Sequence, residues 1–121
     1  MAAQPSGSRV YTLLIDSFRL HMKDEMNFRG DVDEDYYQGD AAKSLKRFLV
    51  KAEKRGSIMP PWWNEQKREA CIAHGKKIGW SDLRSKIEKS DFTEHYGNPM
   101  MPMRVRMLAE EITGSEVMSM G

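Results

Sequence analysis

The chain has 121 residues, of which 40% are hydrophobic and 31% are charged, a length and composition typical of one compact domain. Its 19 lysines and arginines nearly balance 18 acidic residues, and a net charge of +1 argues against a dedicated binder of duplex DNA or anionic membranes. No apolar run approaches the ~20 residues of a membrane span, and from the first residues we expect no signal peptide. Cys71 is the single cysteine, which excludes an internal disulfide, so we expect an intracellular protein of the cytoplasm or nucleus.

The first predicted helix spans residues 9–26. Small polar residues at positions 1–8 predict a disordered N-terminus, after which apolar residues recur at helical spacing. Residues 29–40, with two glycines and five acidic residues, predict an acidic loop. The loop resembles the start of an EF-hand, but Tyr36 replaces the required glycine and Ala42 the required glutamate, so we expect no calcium site.

A second predicted helix carries most of the positive charge. Asp40 is its expected N-cap and Gly56 its expected end, with Leu45, Phe48, Leu49 and Ala52 on one apolar face. Six basic residues share the remaining surface: Lys43, Lys46, Arg47, Lys51, Lys54 and Arg55. Residues 43–55 thus have a local charge of +5 (six bases, one acid), against −5 for residues 16–40 (three bases, eight acids). We favour mutual neutralisation of these blocks within the fold, with an acidic partner or RNA phosphates as the alternative.

The remaining pattern predicts short helices. Asn64 is the expected N-cap of a third helix from Glu65 to about His74, closed by Gly75. Ser81 or Asp82 starts a short helix with Leu83 and Ile87, and Ser90 starts another that runs to Tyr96 and ends at Gly97. The last helix has Pro102 in its first turn, packs Val105, Leu108, Ala109 and Ile112, and ends at Gly114.

No stretch alternates with the period of a β-strand. The sequence therefore predicts an all-α single domain, an irregularly packed bundle of five to six helices, several of them short. The predicted domain covers residues 9–114, and residues 115–121 are expected to form a frayed tail.

Candidate partner-binding residues lie in two segments. The first, which we call the Trp corner, is Pro60, Pro61, Trp62 and Trp63. It either fixes the entrance of the third helix into the core, the favoured interpretation, or presents an aromatic anchor to a partner. The second segment contains His95, Tyr96, Met100, Met101 and Met103. Its methionines, together with Met107, serve as core filler, the slightly favoured interpretation, or as an adaptable binding surface.

Cys71, His74 and His95 supply the residue types of a thiol nucleophile and its base. Their spacing gives no support for catalysis, because a cysteine on an apolar helix face is usually buried and inert. The histidines show no metal-ligand spacing. We therefore predict no catalytic residue, no metal and no cofactor, and keep a small enzyme using these three residues as the least favoured alternative.

Four blocks of the chain together resemble a known family. They are residues 11–19 (YTLLIDSFR), 28–32 (FRGDV), 60–63 (PPWW) and 94–103 (EHYGNPMMPM). They resemble the region that follows the zinc finger in fungal MYND-finger proteins, and the resemblance covers residues 10–114. No set of zinc ligands precedes residue 10, so zinc binding and MYND-type peptide docking do not carry over. The resemblance implies an accessory helical module in regulatory or assembly proteins.

The predicted function is a non-enzymatic intracellular protein–protein interaction module, or adaptor, in a regulatory or assembly complex. Its contact surfaces would be the Trp corner and residues 94–103. The main alternative is an RNA-associated protein that uses the basic helix at residues 43–55. We expect a protein partner and no membrane, while the sequence does not indicate an oligomeric state.

Overall fold

A computed structural model describes residues 5–24, 34–55, 58–77, 80–83 and 89–113. Six helices and no strand occur in these ranges, which confirms the predicted all-α fold. The helices are α1 (Pro5–Asp24), α2 (Glu34–Tyr37), α3 (Ala41–Lys54), α4 (Glu65–Gly75), α5 (Lys89–Tyr96) and α6 (Met101–Thr113).

Helix α1 is the central element of the bundle and packs against α3, α4 and α6. It begins at Pro5, four residues before its predicted start, and ends at Asp24. A proline is tolerated in the first turn of a helix, because its missing N–H would have no intrahelical acceptor there. Residues 1–4, the tail at 115–121 and residues 29–33 of the predicted acidic loop lie outside the described ranges. The end of that loop differs from its prediction, since residues 34–37 form α2.

Local capping sets the starts of α3 and α4, as predicted. The Asp40 carboxylate accepts a hydrogen bond from the Lys43 backbone N–H (3.3 Å), and the Asn64 side chain accepts one from Lys67 (2.9 Å). Helix α3 ends at Lys54, and its predicted end, Gly56, lies outside the described residues. The prolines before Trp62 stand in a turn, so the chain between α3 and α4 is not helical there.

Gly75 has a different role from the predicted one. It is the last residue of α4, it is buried, and its φ angle is not positive. A Cβ atom at this position would lie 2.9 Å from Leu83 Cγ and 3.4 Å from Ile15 Cδ1. The Leu83 N–H donates to the Gly75 carbonyl (2.8 Å), so the turn at residues 80–83 packs directly on the end of α4. The glycine is thus required for close approach and does not reverse the chain.

Between α4 and α6 the structure describes residues 80–83 and 89–100. Residues 80–83 form a turn instead of the predicted helix start, and Ile87 lies outside the described residues. Helix α5 ends at Tyr96 as predicted, and Gly97 follows with a φ of +63°, which favours glycine. Pro102 lies in the first turn of α6, also as predicted.

The core has two parts that meet along α1. The larger part contains Ile15 and Phe18 of α1 with buried residues of α3, α4 and α6. Leu20 joins Phe92 of α5 and Val105 of α6 in the smaller part. Two faces of α1 are thereby buried, and Arg9, Thr12 and Leu13 in its N-terminal half line an open cleft.

Candidate functional site

An open cleft lies between α1, the end of α5 and α6, and encloses about 510 Å³. Its floor is apolar and consists of Leu13, Met101, Val105 and Leu108, and the ring of Tyr96 forms part of its wall. A volume of this size, with an apolar floor and few polar groups, is typical of a ligand or peptide site. Tyr96 and Met101, two residues predicted to bind a partner, therefore contribute to one surface.

A buried polar network holds Tyr96 in the cleft wall. Asp16, which is fully buried in α1, accepts hydrogen bonds at Oδ2 from the Tyr96 hydroxyl and from Trp80 Nε1 (2.9 Å). Arg19 lies one turn further along α1, where its guanidinium is 3.5 Å from Asp16 Oδ1 and donates to the Trp80 carbonyl (2.6 Å). These bonds connect α1, α5 and the turn at residue 80, and they fix the orientation of the Tyr96 ring.

Burial dominates the electrostatics of this network. It raises the pKa of Asp16, although the hydrogen bonds from Tyr96 and Trp80 and the charge of Arg19 oppose the shift. Burial also lowers the pKa of Arg19, and burial together with the bond to Asp16 raises the pKa of Tyr96. Within the network, Asp16 Oδ1 and Arg19 Nε are buried and have no hydrogen-bond partner among the described residues. The network is a costly internal ion pair that positions the wall of the cleft.

Two exposed arginines, Arg9 of α1 and Arg104 of α6, form the rim of the cleft with Thr12. Neither guanidinium forms an ion pair with any residue that the structure describes. Thr12 Oγ1 is hydrogen-bonded to His74 Nε2 (3.2 Å). The rim therefore offers two positive charges above an apolar floor.

The Trp corner packs on the opposite face of α1 from the cleft. Tyr11, two residues before Leu13, makes edge contacts with Trp62 and Trp63, at ring-centroid distances of 6.5 and 6.0 Å. Trp63 is partly buried and donates from Nε1 to Glu53 Oε2 (2.9 Å), whereas Trp62 is 37% exposed. One tryptophan thus anchors the entrance of α4, as the favoured interpretation required, and the other remains available at the surface.

His95, Met100 and Met103 do not line the cleft. The exposed ring of His95 stacks on Trp80 at a centroid distance of 3.7 Å. Met100 and Met103 are 49% and 52% exposed, and Met107, one turn further along α6, is 56% exposed. The structure therefore places these methionines at the surface, where the sequence slightly favoured core filler.

The basic residues of α3, and Arg55 directly after it, have two kinds of environment. Arg47 pairs with Asp35 (2.9 Å), and Arg55 Nε donates to the Ile112 carbonyl (3.3 Å). The four lysines, by contrast, are exposed and form no ion pair with the described residues. We call them the lysine face: Lys43, Lys46, Lys51 and Lys54. Among the described residues, Arg47 is thus the only basic residue of 43–55 that forms an ion pair with an acidic residue of 16–40.

Cys71 and His74 do not form a nucleophile and base. Cys71 is fully buried, its Sγ lies 4.0 Å from the Tyr11 carbonyl, and burial raises its thiol pKa to about 12. A thiol with this pKa stays protonated and unreactive near neutral pH. Burial and the positive charge of Lys77 also lower the pKa of His74. No group of three His, Cys, Asp or Glu side chains in the described ranges is placed to hold a metal ion.

Sequence reasoning missed the two rim arginines, Arg9 and Arg104. It also missed the buried network of Asp16, Arg19 and Trp80 that supports the cleft wall. One available signal was the pair of opposite charges at positions 16 and 19, which lie three residues apart on one face of a helix that is otherwise rich in apolar residues. None of the described helices has the length and apolar character needed to cross a membrane. Comparison of the chain with protein-family models, curated proteins and solved structures finds no match.

Proposed function

We propose that this chain is a non-enzymatic protein-interaction module that binds an apolar segment of a partner protein in the cleft between α1, α5 and α6. The observation that carries the proposal is an apolar cleft bordered by exposed methionines on the same helix. Methionine side chains are flexible and polarisable, and they adapt to varied apolar partners. The resemblance to the region beside MYND fingers supports a role in a regulatory or assembly complex of the cytoplasm or nucleus.

The methionines and the cleft form one continuous surface of α6. Met103 and Met107 are four residues apart on α6, and Met100 directly precedes the helix in line with the same face. Arg104 and Leu108 lie beside that face and border the cleft. An apolar segment in the cleft would therefore extend over the methionines, which would then lose their exposure to water.

Site-specific crosslinking tests this proposal in nuclease-treated native extract. We expect a photo-crosslinking amino acid at Met107 to form a single protein adduct, and the same group at exposed Ala73 of α4 to form none. The double variant Met103→Glu/Met107→Glu should then weaken binding of that purified partner by about tenfold or more, because it places charges against an apolar segment. An adduct of equal yield at both positions, or unchanged affinity of the double variant, would contradict the proposal.

A second candidate function is association with single-stranded RNA. It is favoured by the position of the Trp corner, which the bond from Trp63 to Glu53 holds against α3 beside the lysine face. A basic surface next to an exposed aromatic ring, here Trp62, suits a sugar-phosphate backbone with a stacked base.

The RNA candidate predicts a steep salt dependence. We expect a fluorescein-labelled oligouridylate of about 20 nucleotides to bind at low ionic strength and to dissociate as salt rises. Lys46→Glu/Lys51→Glu should abolish this binding, and Trp62→Ala should weaken it by about 1–3 kcal/mol. Absence of binding at low ionic strength would exclude this function.

A further inference from the structure

We infer that the partner segment of the cleft is an acidic amphipathic helix, whose apolar face enters the cleft and whose carboxylates pair with Arg9 and Arg104. This inference rests on the proposed function and adds the chemistry of the partner. Two observations support it. The first is which of the described arginines have an ion-pair or hydrogen-bond partner within the fold, and the second is the rigidity of the cleft wall.

Five of the seven described arginines already have partners within the fold. Four of them contact a carboxylate: Arg19 with Asp16, Arg47 with Asp35, Arg68 with Glu53 and Arg106 with Asp24. Arg55 donates to a backbone carbonyl. The other two, Arg9 and Arg104, both lie on the rim of the cleft and pair with none of the described residues.

Arg9 and Arg104 also stand on different elements. Because one lies on α1 and the other on α6, they flank the apolar floor from two sides. A partner that fills the floor would bring its own polar edges next to both guanidinium groups. Carboxylates at those edges would form charge-assisted hydrogen bonds, whereas lysines would be repelled.

The cleft is formed before any partner binds. Tyr96, which forms part of its wall, is held through its hydroxyl by Asp16, and Asp16 is held in turn by Trp80. A wall fixed by buried hydrogen bonds loses little conformational entropy on binding. Helices that dock in such grooves insert apolar side chains at the i, i+3, i+4 and i+7 positions, and a cleft of about 510 Å³ accepts a cluster of this kind.

The test measures fluorescence anisotropy with three synthetic peptides of about 18 residues that share leucines at the i, i+3, i+4 and i+7 positions. The flanking positions carry glutamate, glutamine or lysine. We expect the glutamate peptide to bind about tenfold more tightly than the glutamine peptide, and the lysine peptide not to bind. In Arg9→Glu/Arg104→Glu the order should reverse. The control variant Lys46→Glu/Lys51→Glu changes the net charge by the same amount but on the lysine face, so it should leave the order of the three affinities unchanged.

Any other outcome rejects the acidic helix alone or the acidic helix together with the proposed function. Equal binding of the three peptides, or equal effects of the two charge reversals, rejects the acidic helix. If no peptide binds but crosslinking at Met107 still yields a specific partner, the acidic helix is rejected and the proposed function survives. If both experiments fail, both are rejected. Binding of laurate that depends on Arg104, with no peptide bound, would instead identify a site for a small amphipathic carboxylate.

Discussion

Replacing Asp16 with alanine is expected to lower the free energy of unfolding by about 3–5 kcal/mol. Asp16 is fully buried, and its neighbour Arg19 is only 2% exposed. The substitution would leave the Arg19 guanidinium without a counter-charge in the interior and would remove the acceptor of both Tyr96 and Trp80. Urea denaturation followed by circular dichroism measures the loss, which is a large part of the roughly 5–15 kcal/mol typical of a domain.

Two further variants separate the buried charge from ordinary surface effects. Asp16→Asn retains a side-chain oxygen that can accept from Tyr96 and Trp80, so it should cost less than alanine. Asp35→Ala removes the carboxylate of a half-exposed ion pair with Arg47 and should cost less than about 1 kcal/mol. If Asp16→Ala were no more destabilising than Asp35→Ala, the buried network would have no structural role.

The same carboxyl group predicts an unusual dependence of stability on pH. Burial raises the folded-state pKa of Asp16 above its unfolded value, so the folded protein binds this proton more tightly. The stability contributed by this tighter proton binding is therefore fully present below the pKa of Asp16 in the unfolded chain. It is lost as pH rises through the pKa of Asp16 in the folded protein. We expect the free energy of unfolding of the wild type, relative to Asp16→Asn, to decrease from acidic to neutral pH. A difference that is independent of pH, or that grows with pH, would contradict the assignment.

Replacing Gly75 with valine is expected to destabilise the fold by about 1–3 kcal/mol through overpacking. The first added carbon alone would lie 2.9 Å from Leu83 Cγ and Cδ1, well inside contact distance. Because the Leu83 N–H is bonded to the Gly75 carbonyl, the turn cannot move away without breaking that bond. The loss should appear in the same urea titration.

A double-mutant cycle shows whether Leu83 causes the loss. Leu83→Ala removes the contacted atoms, so the cost of Gly75→Val should be smaller in that background than in the wild type. Ala73→Val is the matched control, since Ala73 is an exposed residue of the same helix and tests only helix propensity. Equal losses for valine at positions 73 and 75 would show that close approach is not the reason for the glycine.

Features that depend on neighbouring residues could be predicted from the sequence. The caps at Asp40 and Asn64 and the glycine after α5 follow from side-chain and backbone chemistry within a few residues. The apolar face of α3 follows from helical spacing in the same way. These local signals are sufficient for the all-α fold class and for most of the helix starts.

Features that depend on residues distant in the chain were decided by the tertiary structure. Asp16 and Tyr96 are 80 positions apart, and Arg9 and Arg104 meet at one cleft only because α1 packs against α6. Gly75 shows the difference most directly. From local chemistry, any glycine that follows a helical pattern is predicted to end the helix. Gly75 is instead required because Leu83 and Ile15 pack closely against it, and these residues contact it only in the folded chain. By itself the sequence determined most of the helical segments, because helix formation and capping are local, but it missed α2 and the first turn of α1. The cleft, its charged rim and its buried support exist only after packing, because each is built from several helices.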